Sequence, residues 1–172
     1  MDRYVRAVRL VSRICGVFAA TLIGLGVLVV CHMVFVRYVL GDNTIWQTDF
    51  VTYSLVAATF IGSPYLLLSR GHVNVDVLPH YVEPRTRFWL AVFAAVLSFA
   101  FSAVMTALTF QFWYEAWSNR WVSDTMWRAR LWIPYAAMPI GLGILTLQYV
   151  AELYNLLTGR EPPFGMETRE IK

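Results

Sequence analysis

The side chains that could carry acid–base chemistry in this sequence lie mostly where long apolar runs end. The first apolar run holds one titratable group, His32, and Asp49 stands at the start of the second. Amides and acids close the last two runs: Gln111, Glu115, Gln148 and Glu152. A proton or ion pathway needs ionisable groups deep between helices, whereas groups near the membrane interface are readily solvated. We therefore expect no ion pathway within this chain alone and no catalytic residues.

Three other residues have the spacing of a metal-binding set. His72, Asp76 and His80 recur every four residues, which would align them on one face of a helix. Gly71, Pro79 and the β-branched run between them argue against a regular helix, so we predict a polar turn without a metal ion. Only one of the three histidines lies in an apolar run, whereas haem ligation in a bundle uses facing pairs. No nucleophilic triad, phosphate loop or metalloprotease motif is present, and we expect neither a cofactor nor an enzyme.

The composition indicates a membrane protein. Hydrophobic residues make up 58% of the 172 residues and charged residues 15%, with a mean hydropathy of +0.54. Soluble domains carry about 25% charged residues, and a soluble chain of this length buries only about two-thirds of its surface. The net charge of +3 comes mainly from arginines gathered between apolar runs. This placement indicates membrane topology rather than a nucleic-acid partner.

The apolar runs predict an all-α integral membrane fold with four transmembrane helices. About 20 apolar residues cross a hydrocarbon core of about 30 Å, and the predicted spans are 14–36, 47–69, 88–114 and 131–153. They form a single membrane domain over residues 1–172, with a short solvated tail from about 159. Short amphipathic helical segments in the loops are compatible with the pattern. Trp113, Trp117 and Trp121 recur every four residues, so we expect the third helix to continue through them.

Orientation follows from the basic residues that flank the spans. Ten Lys and Arg residues lie on the side of the two termini and four on the other side. Because basic residues accumulate in cytoplasmic segments, we predict that both termini are cytoplasmic.

Small residues recur at helical spacing inside the spans. Such residues let membrane helices approach closely, where lipid supplies no hydrophobic drive for association. We expect helix contacts or, equally, no more than the ordinary abundance of small residues in membrane helices. The sets are Ser54, Ala58 and Gly62; Ala94, Ser98, Ser102 and Thr106; Ala20 with Gly24; and Ala137 with Gly141.

Short segments at the ends of the spans carry a family resemblance that covers roughly residues 10–155. They are Val36-Arg37-Tyr38, Trp46-Gln47-Thr48-Asp49, Arg70-Gly71-His72-Val73-Asn74-Val75-Asp76-Val77-Leu78, Ile133-Pro134 and Met138-Pro139-Ile140-Gly141. In this order, on four spans, the chain resembles the small membrane subunit (Q-type) of tripartite ATP-independent periplasmic (TRAP) transporters. One departure is visible, because that family often has two acidic residues after the tryptophan. Here Thr48 takes the first place and only Asp49 is acidic.

The resemblance implies a division of labour in the bacterial inner membrane. A larger multi-pass subunit would carry the substrate and sodium sites and move as an elevator, while a periplasmic substrate-binding protein delivers an organic acid. The small subunit would be a static scaffold that contacts the large subunit and membrane lipids, within a sodium-coupled secondary transporter.

The resemblance also suggests structural residues and docking residues. Arg37 and Asp49 would pair with each other or with the large subunit; alternatively, Arg37 sets topology or meets lipid headgroups and Asp49 is a helix N-terminal acid. Arg70, His72 and Asp76 would form a cytoplasmic elbow, or else a solvated turn. The structural candidates in full are Arg37, Trp46, Asp49, Arg70, Gly71, His72, Asp76 and Pro134. Arg120, Arg128 and Arg130 would dock the binding protein, with headgroup binding as the alternative.

Two other classes of function stay open at this point. An autonomous small carrier acting as an oligomer would need a membrane-embedded acid, and the membrane anchor of a redox complex would need paired histidines. A thiol oxidase is strongly disfavoured because Cys15 and Cys31 form no CxxC motif.

Overall fold

The computed structural model of the chain describes residues 2–69 and 84–158. These residues are 84% helical and contain no strand. Helix α1 spans Asp2–Phe35 and continues as a π-helical turn, Val36–Leu40; α2 spans Gln47–Leu68, α3 Pro84–Ser118, α4 Trp132–Tyr135 and α5 Ala137–Leu157. Four helical segments are long and apolar enough to cross a membrane, with α4 and α5 forming the fourth. The predicted all-α fold with four transmembrane helices is confirmed.

The helices extend beyond the apolar spans. Helix α1 begins at Asp2, and α3 has 35 residues, which at about 1.5 Å per residue is about 52 Å, well beyond a hydrocarbon core of about 30 Å. The expected continuation of the third helix through Trp121 is wrong, because α3 ends at Ser118. Arg120 has a φ of 51°, and the left-handed backbone turns Trp121 out of the helix.

The fourth span is broken near its start. Pro139 has no N–H to donate to the carbonyl of Tyr135, and its ring crowds that carbonyl. The short helix α4 therefore ends at Tyr135, and α5 begins at Ala137. Pro134 lies inside the first turn of α4, where a missing N–H is tolerated.

Helix α5 is the helix against which the other three pack. Helices α1 and α2 pack along each other and both contact α5, while α3 packs on α5 and α4. The interior of the bundle is made of small residues, and the most buried side chains include Ser12, Ala116 and Ala151. Large apolar side chains such as Phe93 and Phe101 face outward. Small side chains inside and large apolar side chains outside are the arrangement expected of a protein surrounded by lipid rather than by water.

The closest approach in the bundle lies where α5 crosses α2. A Cβ atom on Gly141 would lie 2.2 Å from the carbonyl oxygen of Phe60, so only a glycine fits. Pro64 lies four residues after Phe60 in α2 and has no N–H to donate to that carbonyl. The Ser63 hydroxyl donates to it at 2.8 Å, and Gly141 lies against its other side. This geometry admits a Cα–H···O contact between the helices.

Polar side chains add specific bonds to α5. The Ser12 hydroxyl of α1 donates to Gln148 Oε1 at 3.1 Å, and this pair is buried. The Tyr4 hydroxyl, also on α1, donates to the Leu147 carbonyl at 3.0 Å. On the other side of α5, the Thr146 hydroxyl is 3.1 Å from the Thr106 hydroxyl and donates to Ser102 Oγ at 3.2 Å. Hydroxyl bonds of this kind hold membrane helices in register.

The small-residue sets divide into contacting and exposed ones. Ser54 and Ala58 are buried, and a Cβ on Gly62 would lie 3.2 Å from the Cβ of Ala19, so this set faces α1. Ser102 and Thr106 face α5, as described above, whereas Ala94 is exposed. Ala20 is also exposed, and no heavy atom lies within 4 Å of a Cβ placed on Gly24. That pair does not contribute to packing between the described helices.

The crossing yields a stability prediction. Gly141→Ala places a methyl group against backbone, which cannot move aside as a flexible side chain would. We expect the folded state to lose about 1–3 kcal/mol, the usual effect of overpacking, measured as a lower midpoint of thermal unfolding in detergent.

Gly143→Ala is the matched control on the same helix. Its Cβ would meet its nearest neighbour, Thr106 Cγ2, at an ordinary 3.8 Å, so this variant should be as stable as the wild type or slightly more stable. Equal midpoints for the two variants would contradict the proposed crossing.

Candidate functional site at the loop end of the bundle

The loop after α3 is ordered by backbone hydrogen bonds. At the end of α3, the Trp121 N–H donates to the Ala116 carbonyl at 3.1 Å and the Arg120 N–H to the Trp117 carbonyl at 3.3 Å. This is the Schellman motif, with Arg120 at the position that glycine usually takes. We call the part of the bundle that carries residues 119–131 and the start of α2 the loop end.

Beyond this cap the chain folds back on itself. Val122 and Arg130 form an isolated antiparallel bridge, and the Ser123 N–H donates to the Ala129 carbonyl at 2.8 Å. Arg128 also has a left-handed backbone, with φ of 48°. The loop therefore presents Arg120 and Arg128 from backbone positions where glycine or asparagine would be less strained.

Asp49 links this loop to α2. Its carboxylate accepts a short hydrogen bond from the Thr125 hydroxyl, and the Ser123 hydroxyl lies 2.9 Å from that of Thr125. Asp49 is also in the first turn of α2, where the helix dipole favours a negative charge. One acid therefore both caps α2 electrostatically and holds the loop.

Arg37 lies apart from Asp49. Its Nε donates to Thr44 Oγ1 at 2.8 Å, within the connection between α1 and α2. The structure does not bring the two candidates into an ion pair. Thr48, in the place of the family's frequent second acid, directs its hydroxyl to Met33 Sδ on α1 at 3.6 Å.

Trp46 and its neighbour Gln47 lie at the start of α2. The Trp46 ring is 6.4 Å from the His32 ring and 6.0 Å from the Phe50 ring, and it joins the ends of α1 and α2. Gln47 is 5% exposed, and its Oε1 has no hydrogen-bond partner among the described residues. Sequence reasoning did not single out Gln47, because a polar residue at a helix start is ordinarily solvated.

An aromatic cluster packs between the end of α3 and α4. The Trp117 and Trp132 rings are 4.6 Å apart, and Trp113 Nε1 donates to the Trp132 carbonyl at 3.0 Å. Beside them is a cavity of about 630 Å³ that Arg120 and Arg130 also line. We call it the tryptophan cavity. It brings two of the three predicted docking arginines together.

A second concavity runs down the side of the bundle. It is a largely apolar groove of about 610 Å³, bounded by α1, α2, the loop and the α4–α5 segment. Arg128 and Arg130 lie in its lining, as does Pro134. We call it the lateral groove. Its existence could not be read from sequence, because it depends on how far α5 stands from the N-terminal half of α2.

The opposite end of the bundle carries a smaller, more polar cavity. It measures about 380 Å³ and is lined by residues that include Arg9, Arg13, Gln148 and Asn155. Four predicted residues lie outside the described residues: Arg70, Gly71, His72 and Asp76. His80 lies there too, and residues 2–69 and 84–158 hold no group of three or more potential metal ligands.

These features define a class of protein: a multi-pass α-helical membrane protein with polar bonds between its described helices and one ordered loop. Comparison with protein families then gives its membership. The model for the DctQ component of tripartite ATP-independent periplasmic transporters matches residues 26–159, and the chain belongs to this family. It is a small permease subunit of a TRAP transporter, not an enzyme.

One curated relative is the C4-dicarboxylate TRAP transporter small permease protein DctQ of Vibrio cholerae serotype O1 (strain ATCC 39315 / El Tor Inaba N16961). It is 25% identical over 148 residues, which are 74% of this chain and 64% of that protein. The chain thus spans somewhat less than two-thirds of the length of that relative. No solved structure matches the chain.

The bond between Asp49 and Thr125 can be tested by removing one partner. Hydrogen bonds to charged groups contribute about 1.5–3 kcal/mol to stability. Because this bond is exposed to solvent, we expect Thr125→Val to lower the free energy of opening the loop by about 1 kcal/mol. The loop should open more often, and trypsin should cleave after its arginines about fivefold faster.

Thr59→Val is the control, because that hydroxyl bonds only the Leu55 carbonyl of its own helix. If the two variants are cleaved at the same rate, the bond between Asp49 and Thr125 does not hold the loop. When Asp49 is already replaced by Ala, Thr125→Val should change the cleavage rate little, because the bond is already absent.

Proposed function

We propose that this chain is the fixed membrane scaffold of a TRAP transporter in the bacterial inner membrane. A larger multi-pass subunit would carry substrate and sodium and move against it, and a periplasmic substrate-binding protein would deliver an organic acid. Both termini would be cytoplasmic, which places the loop end in the periplasm. The name of the Vibrio cholerae relative includes C4-dicarboxylate, and we extend that substrate class to this system.

One observation supports the scaffold role most directly. Several hydroxyl and amide groups in the described helices form bonds between helices, as in the Ser12–Gln148 pair and the Thr146 cluster, and others, such as Thr59, bond carbonyls of their own helix. Acids such as Asp49 and Glu115 lie at helix ends. A chain arranged in this way is suited to hold a shape rather than to pass an ion.

The outer surface suits a membrane partner. Helix α3 packs on α5 and α4 and leaves large apolar side chains uncovered, among them Trp89, Phe93 and Phe101, each about two-thirds exposed. Aromatic residues are enriched at protein interfaces. A large subunit seated on such a face would gain a rigid reference surface.

The partner prediction is tested by tagging the chain, extracting native membranes in mild detergent and identifying what co-purifies. We expect a much larger multi-pass protein in near-equal amount. Asp76→Ala should lower that yield if the proposed elbow of Arg70, His72 and Asp76 holds the subunits, whereas Asp124→Ala, in the other loop, should not.

Two outcomes of the co-purification experiment would contradict these proposals. A chain that purifies alone, or with a haem-bearing or soluble catalytic subunit, would overturn the scaffold role in favour of a carrier or a redox anchor. Unchanged yield for Asp76→Ala would remove the elbow while leaving the scaffold intact.

We also propose that the loop arginines predicted to dock the binding protein, Arg120, Arg128 and Arg130, do so chiefly through Arg120. Arg120 is the sharpest probe, because it lines the tryptophan cavity and not the lateral groove. Asn tolerates a left-handed backbone, so Arg120→Asn should remove the charge without unfolding the cap.

Charge-steered docking predicts a characteristic salt dependence. Uptake by the complete three-part system should fall about tenfold in Arg120→Asn at low ionic strength and approach wild type as salt rises. Arg6→Gln, an exposed arginine at the other end of the bundle, is the control. Uptake that matches wild type at every salt concentration would exclude docking through Arg120.

A further inference from the structure

The lateral groove has the depth of one membrane leaflet. Its lining on α2 runs from Phe50 to Ile61, and the eleven steps between these residues rise about 16 Å at about 1.5 Å each. Half of a hydrocarbon core of about 30 Å is about 15 Å. The groove therefore extends from the loop end over about the thickness of one leaflet.

The walls of the groove are apolar, and its charge is concentrated at one end. Aliphatic and aromatic side chains from three elements line its length, including Phe18, Leu22 and Ile140. At the loop end, Arg128 and Arg130 enter the lining beside Trp127. Both arginines are exposed, and the structure gives neither side chain an ion pair among the described residues.

The acids of this end form no ion pair with these arginines among the described residues. Asp49 accepts the hydrogen bond from Thr125, and Asp124 is exposed. The loop that carries the arginines is held by its own backbone bonds, with the Arg128 N–H donating to the Thr125 carbonyl at 3.0 Å. Met126, 87% exposed, and Trp127, 41% exposed, are apolar residues of a kind that settles at a membrane interface.

From these observations we propose that the lateral groove binds one phospholipid with an anionic headgroup. An acyl chain would lie in the groove between α2 and α5, and the headgroup phosphate would accept charge-assisted hydrogen bonds from Arg128 and Arg130. The two positive charges at the loop end of the groove complement the anionic headgroup, and the apolar walls complement the acyl chain. The lipid would fill a gap that the small residues of α2 and α5 leave open, and so stiffen the loop end.

This proposal goes beyond the scaffold function and does not depend on it, because it is tested on the isolated full-length chain. Native mass spectrometry in mild detergent counts lipids retained after addition of phosphatidylglycerol or of phosphatidylcholine with the same chains. We expect the wild type to retain phosphatidylglycerol about tenfold more strongly.

Two substitutions at the mouth test the headgroup contacts. Arg128→Asn and Arg130→Gln should each reduce retention of phosphatidylglycerol several-fold and bring it towards that of phosphatidylcholine. Arg120→Asn is matched to Arg128→Asn, because it removes the same charge from a left-handed position in the same loop but outside the groove. It should retain lipid like the wild type.

A third substitution tests the acyl-chain contact. Ala57 lines the groove, so Ala57→Phe should fill it and lower retention of both lipids, whereas Ala100→Phe on the exposed face of α3 should not. Thermal unfolding checks that each variant is folded.

Several results would overturn the proposal. Equal retention of the two lipids would remove the role of the arginines, and an unchanged Ala57→Phe variant would show that no chain enters the groove. Displacement by glycerol phosphate alone would indicate an anion site without an acyl-chain component. A helix of another protein found in the groove would replace the lipid as its occupant.

Discussion

The architecture depends on one close contact, the crossing of α2 and α5 at Phe60 and Gly141. Pro64 removes the hydrogen bond that the Phe60 carbonyl would normally accept within α2. The exposed carbonyl can then be approached by the backbone of another helix, but only where that helix has no side chain. Gly141 meets this condition, because a Cβ placed on it would lie only 2.2 Å from the Phe60 carbonyl oxygen. A proline in one helix and a glycine in another thus define a single register.

Once α5 is fixed against α2, the remaining helices can be placed from it. Ser12 and Tyr4 bond α1 to the C-terminal half of α5 through Gln148 and Leu147. Thr146 bonds α3 on the opposite side of α5. Small side chains fill the contacts, so little apolar volume is buried inside. The large apolar side chains are left on the outer surface, where lipid or another protein must cover them. A scaffold needs both properties: a rigid interior and an extensive apolar exterior.

The sequence was sufficient for the features that follow from hydropathy and local spacing. It predicts four helices, and it marks Ser54, Ala58 and Gly62 as candidate contact residues, which the structure places against α1. It could not predict that Ala20 and Gly24 face outward, because composition alone does not tell which side of a helix meets a partner. It also placed Trp121 in the third helix, because periodicity does not reveal that Arg120 adopts a left-handed backbone. The Asp49–Thr125 bond joins residues 76 positions apart and has no local signal.

The two concavities at the loop end explain why three arginines near each other in sequence need not act alike. Arg120 follows the end of α3 and lines the tryptophan cavity, Arg128 lies at the loop end of the lateral groove, and Arg130 lines both concavities. The left-handed backbone of Arg120 and of Arg128 turns the chain at each of these positions, so neighbouring positive charges are directed to different surfaces. A carboxylate on a protein and the phosphate of a lipid headgroup both carry negative charge, and charge alone would not separate them. The shapes of the adjacent surfaces do: a cavity walled by rigid indole rings suits a protein side chain, whereas an apolar groove one leaflet deep suits an acyl chain.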